Sequence, residues 1–135
     1  MGDNLVKQTS ESLQYYHLPE FDPSWRAVKR GLEKESLRIG PDGNISTTSH
    51  PRALGSALTN PFITTDFSES LLEFITPAYA DIDECLQVLE DVHRFSFQNL
   101  ENDEMLWVSS MPCPLDSDVE IPIAQFGDSN IGKMK

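Results

Sequence analysis

The longest regular apolar pattern in this chain lies between Ile82 and about Leu100. Ile82, Cys85, Leu86, Leu89, Val92 and Ser96 recur there at helical spacing, which predicts an amphipathic helix. Asp81 and Glu84 stand at capping-box spacing at its start, with Asp81 as the cap. His93 falls on or beside the apolar stripe and reads as a core or boundary histidine. Elsewhere the pattern has the two-residue period of strands. A strand is expected from about Ala27 to Ile39, ended by the turn Pro41-Asp42-Gly43-Asn44. Gly43 suits the positive φ of such a turn, which leads as a hairpin to a short strand around Ile45. Phe62 to Thr65 and Ser70 to Thr76 read as strands around Asp66 and Phe67. In the second of these, Leu71, Glu73 and Ile75 share one face and Leu72, Phe74 and Thr76 the other. Met105 to Val108 is a further strand, and short helices are expected at Ser10–Tyr16 and Arg52–Thr59.

The polar positions that interrupt this pattern carry the candidate chemistry. Glu33 and Glu35, in Gly31-Leu32-Glu33-Lys34-Glu35, are two apart on the first predicted strand and therefore project from one face. That face also holds Gly31, expected to leave room for a ligand, and runs on to the apolar Leu37 and Ile39. Adjacent carboxylates repel unless something cationic lies between them. A hard cation such as Mg²⁺ answers that need with oxygen ligands and retained waters. Glu73 stands in the apolar run Leu71-Leu72-Glu73-Phe74-Ile75-Thr76, where an unpartnered carboxylate is costly to bury. On these residues alone, a metal or acid–base site competes with a solvated acidic face screened by Arg30, Lys34 and Arg38.

Composition narrows the classes. A chain of 135 residues fits one domain. The formal net charge of −12 argues against nucleic acid, because such a surface repels phosphates. It leaves ATP possible, since bound metal ions reverse the local sign. Asp116, Asp118 and Glu120 read as a solvated surface loop. No apolar run nears the roughly 20 residues of a membrane span. The start lacks the plan of a secretory signal or a lipidation site, so no membrane association is expected and the expected compartment is the cytoplasm. Cys85 and Cys113 do not make a disulfide framework. Cys85 is expected in the core, and Cys113, between two prolines, as a small buried residue. Gln125 to Lys133 is glycine-rich, but a P-loop would need Ser or Thr where Met134 stands, so the stretch reads as a turn.

Wording adds what pattern cannot. Gly31-Leu32-Glu33-Lys34-Glu35-Ser36-Leu37-Arg38 is followed by Thr47-Thr48-Ser49-His50-Pro51 and by Ala53-Leu54-Gly55-Ser56-Ala57-Leu58-Thr59. Then come Ile63-Thr64-Thr65-Asp66-Phe67-Ser68-Glu69, Leu71-Leu72-Glu73-Phe74-Ile75-Thr76-Pro77, Ser109-Ser110-Met111-Pro112-Cys113 and Ala124-Gln125-Phe126-Gly127-Asp128-Ser129-Asn130. This ordered set, from about Arg30 to Lys133, resembles the N-terminal part of the bacterial glutamate–cysteine ligase family. Residues 1–24 carry nothing that matches, leaving 25–135 as a truncated N-terminal part of a catalytic domain.

The resemblance implies an α+β, glutamine-synthetase-like fold, a curved and mainly antiparallel sheet with flanking helices. It implies ATP-dependent joining of the γ-carboxylate of glutamate to the amine of cysteine through a γ-glutamyl phosphate, the first step of glutathione synthesis. Glu33, Glu35 and Glu73 match the family's metal ligands, for Mg²⁺ or Mn²⁺. Phe67 matches its acceptor-cysteine pocket, with Asp66 in support. No residue matches a general base, and the nucleotide-binding residues are not assigned. In the last motif Phe126 replaces a frequent tyrosine, and Asp128 and Ile131 replace frequent threonines. Residues 1–135 alone are expected to be inactive. Two other readings stay open: another ATP-dependent carboxylate–amine ligase of the same superfamily, and a non-enzymatic acidic domain that binds divalent ions.

Overall fold

The structure is a computed structural model that describes residues 27–116 and 120–127. The expected helix at Ser10–Tyr16, the boundary near residue 24, Asp118 and the loop beyond Gly127 lie outside the described residues. Four antiparallel strands, β1 (Glu33–Ile39), β2 (Ile63–Asp66), β3 (Ser68–Ile75) and β4 (Met105–Leu106), form a sheet in the order β2-β3-β1-β4. One helix, α1 (Ile82–Gln98), packs on it. This is the expected α+β arrangement, with β1 and β4 shorter than the apolar pattern suggested. Among the described residues, the stretch before β1 makes an isolated bridge, Arg30 to Tyr79, and hydrogen bonds between Leu32 and Thr76, and the turn at Gly43 (φ 82°) closes with another bridge, Ile39 to Ile45. Asp42 ties that turn by accepting the Asn44 backbone N–H at 3.1 Å, which lowers its pKa.

The pleat divides the sheet as the alternation predicted. On one face Leu72, Phe74 and Ile63 join Leu54 and Leu106 in a core closed by Leu89, Val92 and Leu100. Ile39, Ile45 and Cys113, flanked by Leu37 and Trp107, form a second, smaller core. Asp81 caps α1 by accepting the Asp83 N–H at 2.8 Å, and Cys85 and Ser96 are buried on its inner side. His93 lies at the boundary, edge-on to Phe74 at 5.3 Å between ring centroids. Two expectations fail on the same elements. Ile82 and Leu86 belong to the apolar stripe yet are exposed. The helix expected over Arg52–Thr59 shrinks to a 3₁₀ turn at Arg52–Leu54, stopped where Gly55 takes φ 85°. Such a conformation favours glycine and ends helices.

The sheet is anchored by a charge that sequence reasoning had placed on the surface. Arg38 is fully buried. Its guanidinium donates to Glu104 Oε2 at 2.7 Å, to Thr48 Oγ1 at 2.8 Å, and to the carbonyls of Thr48 and Glu69 at 2.7 Å each. The other oxygen of Glu104 accepts from Ser46 at 2.5 Å and Thr48 at 2.6 Å. The cluster ties β1, the 46–48 segment, β3 and the residue before β4 together. Removing one member of a buried pair strands the other, at about 3–5 kcal/mol. Glu104→Ala should therefore cost that order of stability in denaturant titration. Arg38→Met with Glu104→Leu should lose less than Glu104→Ala alone. Equal losses would mean that the guanidinium's neutral hydrogen bonds dominate.

Candidate functional site

The register of β1 on β3 sets the site. Glu35 lies directly opposite Glu73, and Glu33 opposite Ile75. Directly paired residues share a face, so the three carboxylates predicted as ligands stand on one side of the sheet, away from α1. Glu33 and Glu35 are exposed and Glu73 is half-buried. Directly opposed Cβ atoms sit about 4.5–5.5 Å apart, within the span of two flexible glutamate arms around one ion. The donor set is all oxygen, as a hard cation requires. The side chains as they stand are not gathered into one set: among the described residues no three His, Cys, Asp or Glu side chains form a group fit to hold a metal.

The carboxylates look into two neighbouring cavities. Glu33 and Glu35 line one of about 530 Å³, whose far wall is Ser109, Ser110, Met111 and Pro112. That wall is braced by the Trp107 indole N–H, which donates to the Met111 carbonyl at 2.6 Å, and by Ser109 Oγ, which accepts the Met111 N–H at 3.2 Å. Sequence reasoning quoted the Ser109–Cys113 wording but gave it no place in the site. Glu73 lines the second cavity, about 360 Å³, with Thr65, Asp66, Phe67, Ile123, Ala124 and Phe126. Both residues assigned to substrate, Phe67 and Asp66, thus share a cavity with Glu73. Phe126 shares it too, which the sequence alone could not say.

Phe67 is held in an uncommon way. It forms the tip between β2 and β3, where Asp66 pairs with Ser68 and the register shifts. Its φ is +56° and its side chain is 84% exposed. A left-handed non-glycine residue costs on the order of 1–3 kcal/mol, a strain that clusters at functional sites. The Ala124 N–H donates to its carbonyl at 3.0 Å.

The cations weighed as screens for Glu33 and Glu35 are placed differently. Lys34 points to the helix side, over the Phe74 ring at 5.6 Å and 3.4 Å from His93 Nε2, with Ser36 Oγ as acceptor. Arg38 is committed to Glu104. Among the described residues, no salt bridge involves Glu33 or Glu35. Gly31 corrects another expectation: a Cβ there would meet the Thr76 carbonyl oxygen at 3.1 Å, so this glycine admits backbone rather than a ligand.

With that geometry in place, the comparisons give the lineage. The glutamate–cysteine ligase family model matches residues 14–135, so residues 14–24, for which no match was expected, fall within the matched range. A glutamate–cysteine ligase of Edwardsiella ictaluri is 53% identical over 131 residues, which are 97% of this chain and 25% of that protein. That of Alcanivorax borkumensis is 55% identical over 108 residues, 80% of this chain and 20% of that protein. Among solved structures, a glutamate–cysteine ligase of Francisella tularensis in complex with AMP aligns with a TM-score of 0.74 at 42% identity, over 78% of this chain and 21% of its own. A bifunctional glutathione synthetase of Pasteurella multocida aligns with a TM-score of 0.70 at 38% identity, over 75% of this chain and 14% of its own. The chain belongs to the glutamate–cysteine ligase family, and it spans about a quarter or less of the length of these relatives.

Two histidines with lowered pKa values are expected to make stability depend on pH. Neither ring nitrogen of His50 has a hydrogen-bond partner among the described residues. Burial lowers its pKa; the charge of Arg38 adds to this, while Glu69 and the Gly55 backbone oppose. Burial, then Lys34, lowers His93 likewise. A histidine whose native pKa is depressed binds fewer protons folded than unfolded, so stability rises with pH. It is lost as pH falls below about 6.5, the unfolded value, and levels off below the native one. His50→Gln should flatten part of that decline in denaturation midpoints between pH 7.5 and 5.5. An unchanged slope would exclude His50 as a source.

Proposed function

We propose that the polypeptide carrying this sequence is an ATP-dependent ligase that joins the γ-carboxylate of glutamate to the amine of cysteine through γ-glutamyl phosphate. The observation that carries the reading is the Glu35–Glu73 register pair with Glu33 on the same face, in a chain of this family. Glu33, Glu35 and Glu73 would hold Mg²⁺, for which Mn²⁺ can substitute. The ion, when bound, supplies Lewis-acid neutralisation of the transferring phosphoryl group.

The protein's own part is positioning and charge, as phosphoryl transfer demands. The acidic face orients cation-bound phosphates toward the sheet. Asp66 and Phe67 border the cavity next to Glu73, so an acceptor resting on the Phe67 ring would bring its amine close to the activated carboxylate. The three-carbon body of cysteine suits a cavity walled by Phe67, Ile123 and Phe126. A net charge of −12 disfavours nucleic acid as a partner. Among the described residues no helix is long and apolar enough to cross a membrane, and a cytoplasmic enzyme acting on small molecules is the reading adopted. Residues 1–135 contribute one carboxylate-bearing wall and are proposed to be inactive alone.

The test is phosphate release dependent on ATP, glutamate and cysteine, in a polypeptide of the relatives' length that carries this sequence. Glu73→Gln and Glu33→Gln keep the shape and remove the charge. Losing a direct ligand should lower kcat by at least the roughly 10–100-fold typical when an outer-shell partner is lost, with the denaturation midpoint little changed. Mn²⁺ binding followed by electron paramagnetic resonance should weaken in step. Unchanged turnover and Mn²⁺ affinity would remove both residues from the site.

A further inference from the structure

Glu69 lies between the site and the buried network, and every polar group it has is committed. It is 4% exposed on β3, two residues beyond Phe67. Oε2 accepts the His50 backbone N–H at 2.5 Å, and Oε1 accepts the backbone N–H of Gln125. Its own N–H donates to the Pro122 carbonyl at 3.0 Å, and its carbonyl accepts from Arg38 at 2.7 Å. Segment 122–125 therefore meets the start of β3 at consecutive points: Pro122 to Glu69, Ile123 bridged to Ser68, Ala124 to Phe67 and Gln125 to Glu69. The same segment supplies Ile123 and Ala124, and leads into Phe126, on the wall facing Asp66, Phe67 and Glu73.

We propose that Glu69 is a positioning residue of the acceptor cavity, a two-pronged carboxylate that fixes the 122–126 wall at the Phe67 corner and so sets the affinity for the amine substrate. The chemistry explains why a carboxylate stands there. Two backbone N–H groups arriving from different segments need two acceptor oxygens on one side chain. An ionised acceptor strengthens both bonds. A glutamine of the same shape offers one oxygen, and its NH₂ group opposes one of the two N–H donors. Glu69 does not touch the cavity itself, so its effect passes through the wall.

The inference rests on the ligase reading, and the experiment separates the two. In a polypeptide of the relatives' length carrying this sequence, KM for cysteine, KM for glutamate and kcat are measured for wild type, Glu69→Gln and Gln125→Pro. Gln125→Pro deletes the N–H that Glu69 binds while leaving the carboxylate in place. Both variants should raise the KM for cysteine by roughly tenfold, the equivalent of about 1.4 kcal/mol, with kcat and the KM for glutamate within about twofold of wild type. A variant that loses thermal stability while keeping the cysteine KM, or that changes all three parameters alike, overturns the positioning role. If Glu69→Gln does not fold, Gln125→Pro decides by the same criterion. Wild-type protein without cysteine-dependent phosphate release would instead overturn the ligase reading, and this inference with it.

Discussion

Everything on the candidate site follows from the register of β1 against β3. Glu35 meets Glu73 across that pair while Ser36 meets Leu72 and Lys34 meets Phe74. A slip of one residue would turn the alternating set over. The glutamates of β1 would enter the layer under α1, and Lys34, Ser36 and Arg38 would face the cavities. The register is held because each face has a distinct requirement. The helix side demands Leu72 and Phe74, and Arg38 finds its acceptors only there. The acidic face is thus a consequence of how its opposite is packed.

The buried Arg38 explains how a small sheet keeps that register. A desolvated guanidinium is tolerated when its donors meet several acceptors, and here they reach Glu104, Thr48 and the Glu69 carbonyl. These partners come from segments distant in sequence, so they act as a many-point clamp. Glu69 extends the clamp toward the cavity by taking the N–H groups of His50 and Gln125. The strain at Phe67 sits one step further on. A left-handed aromatic at a strand tip persists when its neighbours are over-determined; here β2, β3 and segment 122–125 all fix them.

Much of this was legible in the sequence, for physical reasons that can be named. The period-two pattern of Leu71 to Thr76 assigned both faces of β3 correctly, since a strand side chain has only two directions. The long stripe and Asp81 located α1 within two residues of its end. What escaped were interactions between distant segments. Arg38 looked like a surface cation because nothing local shows that Glu104, far along the chain, will lie beside it. Gly31 looked like room for a ligand because the approach of the Thr76 backbone is a tertiary fact. Exposure of Ile82 and Leu86 could not be foreseen from periodicity, which reports a stripe and not which of its residues a neighbour covers. The nearness of Phe126 to Phe67 likewise depends on a return of the chain over more than fifty residues.

The electrostatics of the acidic face lead to a final step. Glu33 and Glu35, exposed carboxylates two apart on β1, destabilise one another unless positive charge lies close. Lys34 and Arg38 do not provide it: Lys34 is turned toward His93 and Phe74, and Arg38 is locked to Glu104. A protein selected only for stability would have little reason to send Lys34 away from the two glutamates that flank it. Turning Lys34 and Arg38 inward leaves the face anionic, open and lined on its rim by neutral groups such as Ser109, Ser110 and Met111. Such a surface gains most from a mobile, strongly charged and oxygen-seeking partner. In the proposed function that partner is a divalent cation arriving with anionic phosphates. On that proposal the repulsion between Glu33 and Glu35 would turn to attraction on binding, which would tie the affinity for the ion to the cost of holding those two carboxylates together.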